Sequence, residues 1–490
     1  MSRHRIHCPV NQEQLDFQSS NRHSGRGTVS PRLLDPSMKS HLLHSRAILL
    51  SAATLLSCFS IGSVTAQQTK ITPSPPRVTD QRIRFFQEQL ARDPDYYANY
   101  NHLAAAYALK ARETGDIGYY ELAEKSLKKS IELESTHSEA AEAFSQLGAV
   151  QFAEHRFSEA AASAERALSL DDDPSGRALA GDAQLEMGNY GAAETSFKRL
   201  ATGPNDHPHP GRDYLSATRQ ASLAWMRGDV PQAITQMKQA TALAERAHLP
   251  AENIAWTHFM LGEQMFQSGD LAGAESEMQS ALTLFPSYHR ALAGMGQLRA
   301  AQHRFEQAAD FYRKAIAIIP LPLYATALGD IDRRIDKNIE AEKQYALVEY
   351  IAQIGVLNKQ VYNRDLALFY ADHDRHLSDA VTLARKELEA RHDVYTWDVL
   401  AWTLLKDGHA LEAREAMQKA LAVGTRDPLL FFHAGAIERQ LGNTQEAVKY
   451  AREALSINPE FHIVYADQAR QWLAGNSSVA VARGGAHDSP

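Results

Sequence analysis

The chain has 490 residues, 44% of them hydrophobic and 22% charged, the balance of a folded protein rather than a disordered one. A formal net charge of −8 disfavours nucleic acid as a general partner, because binding a phosphate backbone needs a basic surface. Only two cysteines occur, Cys8 and Cys58, which excludes a disulfide framework.

Residues 1–37 are polar and Arg-rich without periodicity, and are read as a disordered extension ahead of a true start at Met38. Residues 38–66 have the layout of a secretory signal peptide: Lys39 and Arg46, an apolar stretch from Ala47 to Ile61, and the small-residue site Val64-Thr65-Ala66. A membrane anchor is the competing reading. It is disfavoured because Ser51, Thr54, Ser57 and Ser60 interrupt a stretch shorter than the ~20 residues a spanning helix needs. A second alternative is lipidation at Cys58, since Leu55-Leu56-Ser57-Cys58 resembles a bacterial lipobox. Cleavage after Ala66 would remove both thiols, seven basic and three acidic residues, leaving 44 basic against 56 acidic. The expected location is exported, periplasmic or secreted, with membrane attachment only if Cys58 is lipidated or the signal is retained. Residues 67–80 read as a Pro-containing polar linker.

From here the pattern is helical throughout, and no run alternates as a strand would. Residues 81–96 form an expected N-terminal capping helix, with Ile83, Phe86 and Leu90 on one face. Residues 97–460 divide into about ten units. Unit one has Leu103-Ala104, Tyr107, Ala123 and Leu127, and is seven residues longer than the others at Lys110 to Asp116 (KARETGD). Units two to four carry Leu147-Gly148 and Ala160, then Gly181, Gly188 and Phe197, then Ala224, Gly228 and Met237. Units five and six are the clearest: Gly262 and Gly296, Ala274 and Ala308, Ala281 and Ala315, and Pro286 and Pro320 are each 34 residues apart. Unit seven has Leu328-Gly329 and a second helix that runs on towards Leu357. Unit eight is weak, whereas units nine and ten recover with Leu400-Ala401 and Gly408, then Gly435, Gly442 and Pro459. Residues 461–475 read as a C-terminal capping helix and 476–490 as a disordered tail.

Small residues sit where helices cross, large ones fill the space between, glycine breaks the first helix of a unit and proline stops the second. One such pair cannot bury its apolar face alone, so neighbours must stack. This 34-residue arrangement resembles the tetratricopeptide repeat (TPR) family. The resemblance implies an all-α, right-handed superhelical α-solenoid. The extended first unit is similar to one in a group of bacterial exported TPR proteins of undefined role.

No GxSxG, P-loop, GxGxxG, HExxH or CxxC is present, so no catalytic residue, cofactor or metal is assigned. His207 with His209 and His373 with His376 are the closest histidine clusters, and both are read as dispersed surface histidines. The resemblance implies protein or peptide binding in the concave groove of a non-catalytic scaffold in the bacterial cell envelope. Alternatives are a lipid-anchored assembly factor for secretion or polysaccharide export, and an accessory subunit of an enzyme or transporter. Counting from each landmark glycine or alanine predicts an inward face of Trp225, Phe259, Glu263, Phe266, Gln297, Asp330, Arg333, Phe369, Asp398, Trp402, Phe432 and Arg439. The carboxylate-clamp type of TPR groove is disfavoured, because Ala105, Ala149 and Asp182 occupy its positions in the first three units. Aromatic pockets for an extended or helical peptide fit better.

Overall fold

The structure, a computed structural model, describes residues 78–202, 210–357 and 363–484. Among them are 22 α-helices and no strand. Val78–Arg92 and Tyr465–Gly484 flank ten helical pairs. Units one to five pair Tyr97–Thr114 with Gly118–Leu133, Ala140–Ala153 with Phe157–Leu170, Pro174–Glu186 with Tyr190–Ala201, Pro210–Met226 with Val230–Arg246, and Ala251–Gln267 with Leu271–Leu284. Units six to ten pair His289–Ala301 with Phe305–Ile318, Pro322–Arg334 with Asn338–Leu357, Asn363–Asp372 with Leu377–Glu387, Val394–Lys406 with Ala410–Leu421, and Pro428–Gln440 with Thr444–Ile457.

Local chemistry sets these boundaries. Asp173, Asp229, Asp270, Asp393 and Asp427 each precede a helix and accept a backbone N–H of its first turn, satisfying donors that the helix leaves open. Ala274, Ala281, Ala308 and Ala315 are buried at the crossings. A Cβ on Gly296 would lie 2.7 Å from the ring of Tyr312, closer than real contacts allow, so the close approach of the two helices of unit six requires glycine there.

The ends differ from the sequence expectation. The first helix begins at Val78, inside the expected linker, because Thr79 Oγ1 donates to Glu113 Oε1 at 3.0 Å and Asp80 pairs with Lys110 at 2.5 Å. The last helix continues to Gly484, past residue 475. Residues 1–37, the signal-like segment with Cys58, linker residues 67–77 and the His207–His209 cluster lie outside the described residues.

The solenoid winds tightly enough to meet itself. His392 N donates to Glu186 O at 3.0 Å, and Val394 N donates to the Tyr190 hydroxyl at 3.0 Å, across 204 residues. Six 34-residue units give the same separation. Unit three therefore meets the start of unit nine, and the next contacts follow in register. Thr425 Oγ1 donates to Met226 O, and Asn458 Nδ2 donates to Phe266 O at 2.8 Å. The extended first unit joins the same scheme, since Gly115 is seated against Ile319 at the turn before unit seven.

Candidate functional site

The inward-face residues predicted from sequence fall into two groups. Arg333 and Arg439 are exposed and Asp330 is half-buried. The other nine are buried, each at 5% exposure or less, so their side chains already serve the packing. Trp225 Nε1 donates to the Tyr395 hydroxyl at 3.0 Å across the meeting of the two turns. Phe259 meets Tyr288 edge to face at 6.1 Å. Phe266 lends its carbonyl to Asn458, and Gln297 is enclosed within unit six.

Units seven and eight bring together Asp330, Arg333 and Phe369. His373 Nε2 lies 2.7 Å from Asp330 Oδ1 and its Nδ1 lies 2.7 Å from Phe369 O, so both ring nitrogens face acceptors and both must carry hydrogen. Burial works against a charged imidazole here, but the Asp330 carboxylate outweighs it and raises the pKa of His373. Burial likewise opposes ionisation of Asp330, yet His373 and the Tyr345 hydroxyl, which donates at 2.9 Å, hold its carboxyl below the usual range. Arg333 lies over the Tyr345 ring at 5.0 Å. His373 is thus occupied within the fold, while His376 is exposed in a left-handed conformation with φ of 43°.

Units nine and ten assemble a second cluster against the C-terminal helix. Trp402 stacks on His433 at 4.1 Å, and its Nε1 donates to Asp372 Oδ1 at 2.7 Å. Tyr465 donates to the same oxygen at 2.6 Å and stacks on Phe432 at 4.6 Å. Asp398, fully buried, pairs with His433 Nδ1 at 2.9 Å. Arg439 lies over the Trp472 ring at 5.4 Å at the outer edge of this cluster.

Unit five is different, because several of its polar groups are buried without hydrogen-bond partners. Among the described residues, eighteen buried side-chain polar atoms lack a hydrogen bond, and seven of them belong to Asn253, Trp256, Glu263, Gln264 and Tyr288. Buried polar atoms are normally satisfied, so this concentration on the first helix of unit five and the residue before the first helix of unit six marks a buried polar cluster that the fold itself does not satisfy. Burial raises the pKa of Glu263 to about 8, with Arg290 opposing, so at neutral pH its side chain is an uncharged acid able to donate and accept. Counting from landmarks found Glu263 but not Asn253, Gln264 or Tyr288. Nothing in their spacing separates an unpaired amide from a solvated one.

Family models agree with the helical pairs. Three family models, each described as a tetratricopeptide repeat, match residues 104–137, 265–331 and 399–460. Solved structures similar to the chain include a human IFIT1 dimer with PPP-AAAA, at 18% identity and a TM-score of 0.38, covering 77% of this chain and 94% of that one. Yeast Tom70 aligns at 14% identity and 0.30, covering 76% and 96%. The APC/C hetero-tetramer Cut9–Hcn1 aligns at 13% and 0.30, covering 80% and 92%. No curated protein matches.

Proposed function

The chain belongs to the tetratricopeptide-repeat family, and from that premise we propose that it is a non-catalytic scaffold holding a peptide or protein partner on the inner surface of its solenoid. The observation that carries this reading is the set of unpartnered polar atoms on Asn253, Trp256, Glu263, Gln264 and Tyr288. An amide, an indole N–H, a neutral acid and a phenol offer the donors and acceptors that a peptide main chain needs, and they demand no charge from it. Of the expected groove residues, the exposed Arg333 and Arg439 are within a partner's reach as the chain stands, whereas the unpartnered atoms are buried and become available only when the helices around unit five part.

The signal-like segment at 38–66 supports a bacterial cell-envelope setting. Lipidation at Cys58 is the second reading, favoured by Leu55-Leu56-Ser57-Cys58, and labelling with a fatty acid distinguishes the two.

The scaffold reading is tested by crosslinking capture from envelope extracts with the wild-type chain and with Trp256→Phe and Gln264→Leu. Both substitutions remove unsatisfied polar atoms while keeping most of the volume. The fold should be no less stable and partner recovery should drop. Unchanged recovery in both variants overturns the reading.

A further inference from the structure

The seven-residue extension of unit one places Arg112 where its Nε lies 3.4 Å from Glu252 Oε2, 140 residues further along the chain. Glu252 is the second residue of the first helix of unit five. Arg290 and Tyr324 hold the second and third places of the first helices of units six and seven, and Tyr120 the third place of the second helix of unit one. Tyr288 caps the first helix of unit six without a side-chain cap bond. These groups lie close enough for their charges to act on one another: Arg290 feels Tyr288, Tyr324, Glu252 and Tyr120, and Tyr120 feels Arg112, Glu252 and Arg290. His289, whose Nδ1 lies 2.7 Å from the Tyr324 hydroxyl, completes the wall.

Two observations point to a ligand. Arg290 is half-buried, and no hydrogen bond or ion pair engages its guanidinium among the described residues, which leaves its five N–H donors open to water or to an anion. Tyr288, independently, is 2% exposed and its hydroxyl has no partner. That hydroxyl sits in the field of Arg290, Glu252, Tyr324 and Arg112, and burial keeps it protonated and able to donate. The amino ends of the first helices of units six and seven add partial positive charge at the same place.

We infer that Arg290, with Arg112 and the Tyr288 hydroxyl at the closure of unit one onto units five to seven, forms a binding site for a small oxyanion. Arg290 forms no ion pair among the described residues, so its guanidinium can offer a carboxylate two parallel N–H donors, with the Tyr288 hydroxyl as a third. The site lies at the amino ends of the helices and depends on the first-unit extension. It is separate from the clamp positions occupied by Ala105, Ala149 and Asp182. It shares the Tyr288 hydroxyl with the scaffold reading but not that reading's premise, because a free anion tests it in the absence of any partner.

The test is calorimetric titration of the full chain at neutral pH with sodium acetate and with inorganic phosphate, against sodium chloride of equal ionic strength. Wild type and Arg385→Gln, which alters an exposed pair with Glu412, should bind acetate, and Arg290→Gln should lose that binding while its circular dichroism is unchanged. If Arg290→Gln fails to fold, Tyr288→Phe, which removes only the hydroxyl, should weaken acetate binding. Binding of phosphate alone overturns the carboxylate assignment. The site itself is overturned by oxyanion heats that equal those of chloride, or by binding that survives in both Arg290→Gln and Tyr288→Phe.

Discussion

Arg391 and Glu186 stand 205 residues apart and meet at 2.5 Å, with the guanidinium fully buried between two turns of the solenoid. Glu387 at 3.3 Å and Asp393 at 3.1 Å share the same guanidinium, Arg364 approaches Asp393 at 3.2 Å, and the face of Arg391 lies 4.6 Å from the Phe157 ring. Removing one partner of such a cluster leaves uncompensated buried charge. Arg391→Met should therefore cost about 3–5 kcal/mol, read as a lowered urea midpoint. Arg385→Met, which breaks the exposed pair with Glu412, is the control and should shift it little.

Gly228 and Gly408 occupy equivalent turns with φ of 76° and 87°. A Cβ on Gly408 meets nothing within 4 Å, whereas one on Gly228 would run into the carbonyl oxygen of Gly424 on the following turn of the solenoid. Gly408→Ala should cost only the left-handed strain, about 1 kcal/mol. Gly228→Ala adds a backbone clash and should lower the thermal midpoint clearly further. Equal shifts would mean that the two turns are not in contact in solution.

Gly296→Leu tests the packing within a unit. With the Tyr312 ring 2.7 Å from the Cβ position, the larger side chain must push the helices of unit six apart, at a cost of roughly 1–3 kcal/mol. A denaturation midpoint equal to that of the wild type would contradict the assigned crossing.

Two buried histidines give stability opposite pH dependences. His462 Nδ1 accepts the backbone N–H groups of Val464 and Tyr465 at 3.2 Å, and burial, with His433 and His373 nearby, pushes its pKa well below the ordinary value. The unfolded chain takes up a proton that this folded imidazole refuses, so stability falls as pH drops through about 6.5 and below. His373, with its raised pKa, contributes stability that is fully present below about 6.5 and lost as pH rises through its folded value. His462→Asn should flatten the acid limb of a stability-against-pH curve, and His373→Gln the limb above neutrality. Limbs unchanged by these substitutions would remove the two imidazoles as their source.

The sequence by itself determined the helical pairs. Gly262, Ala274, Ala281 and their counterparts 34 residues on mark crossings inside one unit, and such contacts are local enough to leave a periodic trace. The count from landmarks also picked out twelve residues as an inward face. It did not show that Trp225, Phe369, Asp398, Trp402 and Phe432 on that face are buried, because burial depends on the neighbouring units and on the next turn of the solenoid. Only the tertiary structure decided that meeting. Small rotations from unit to unit accumulate over about six units before His392 reaches Glu186 or Asn458 reaches Phe266, and no window of sequence contains that sum. The same accumulation carries Arg112, on an extension legible only as extra length, to Glu252, and leaves Arg290 and the Tyr288 hydroxyl beside it without partners.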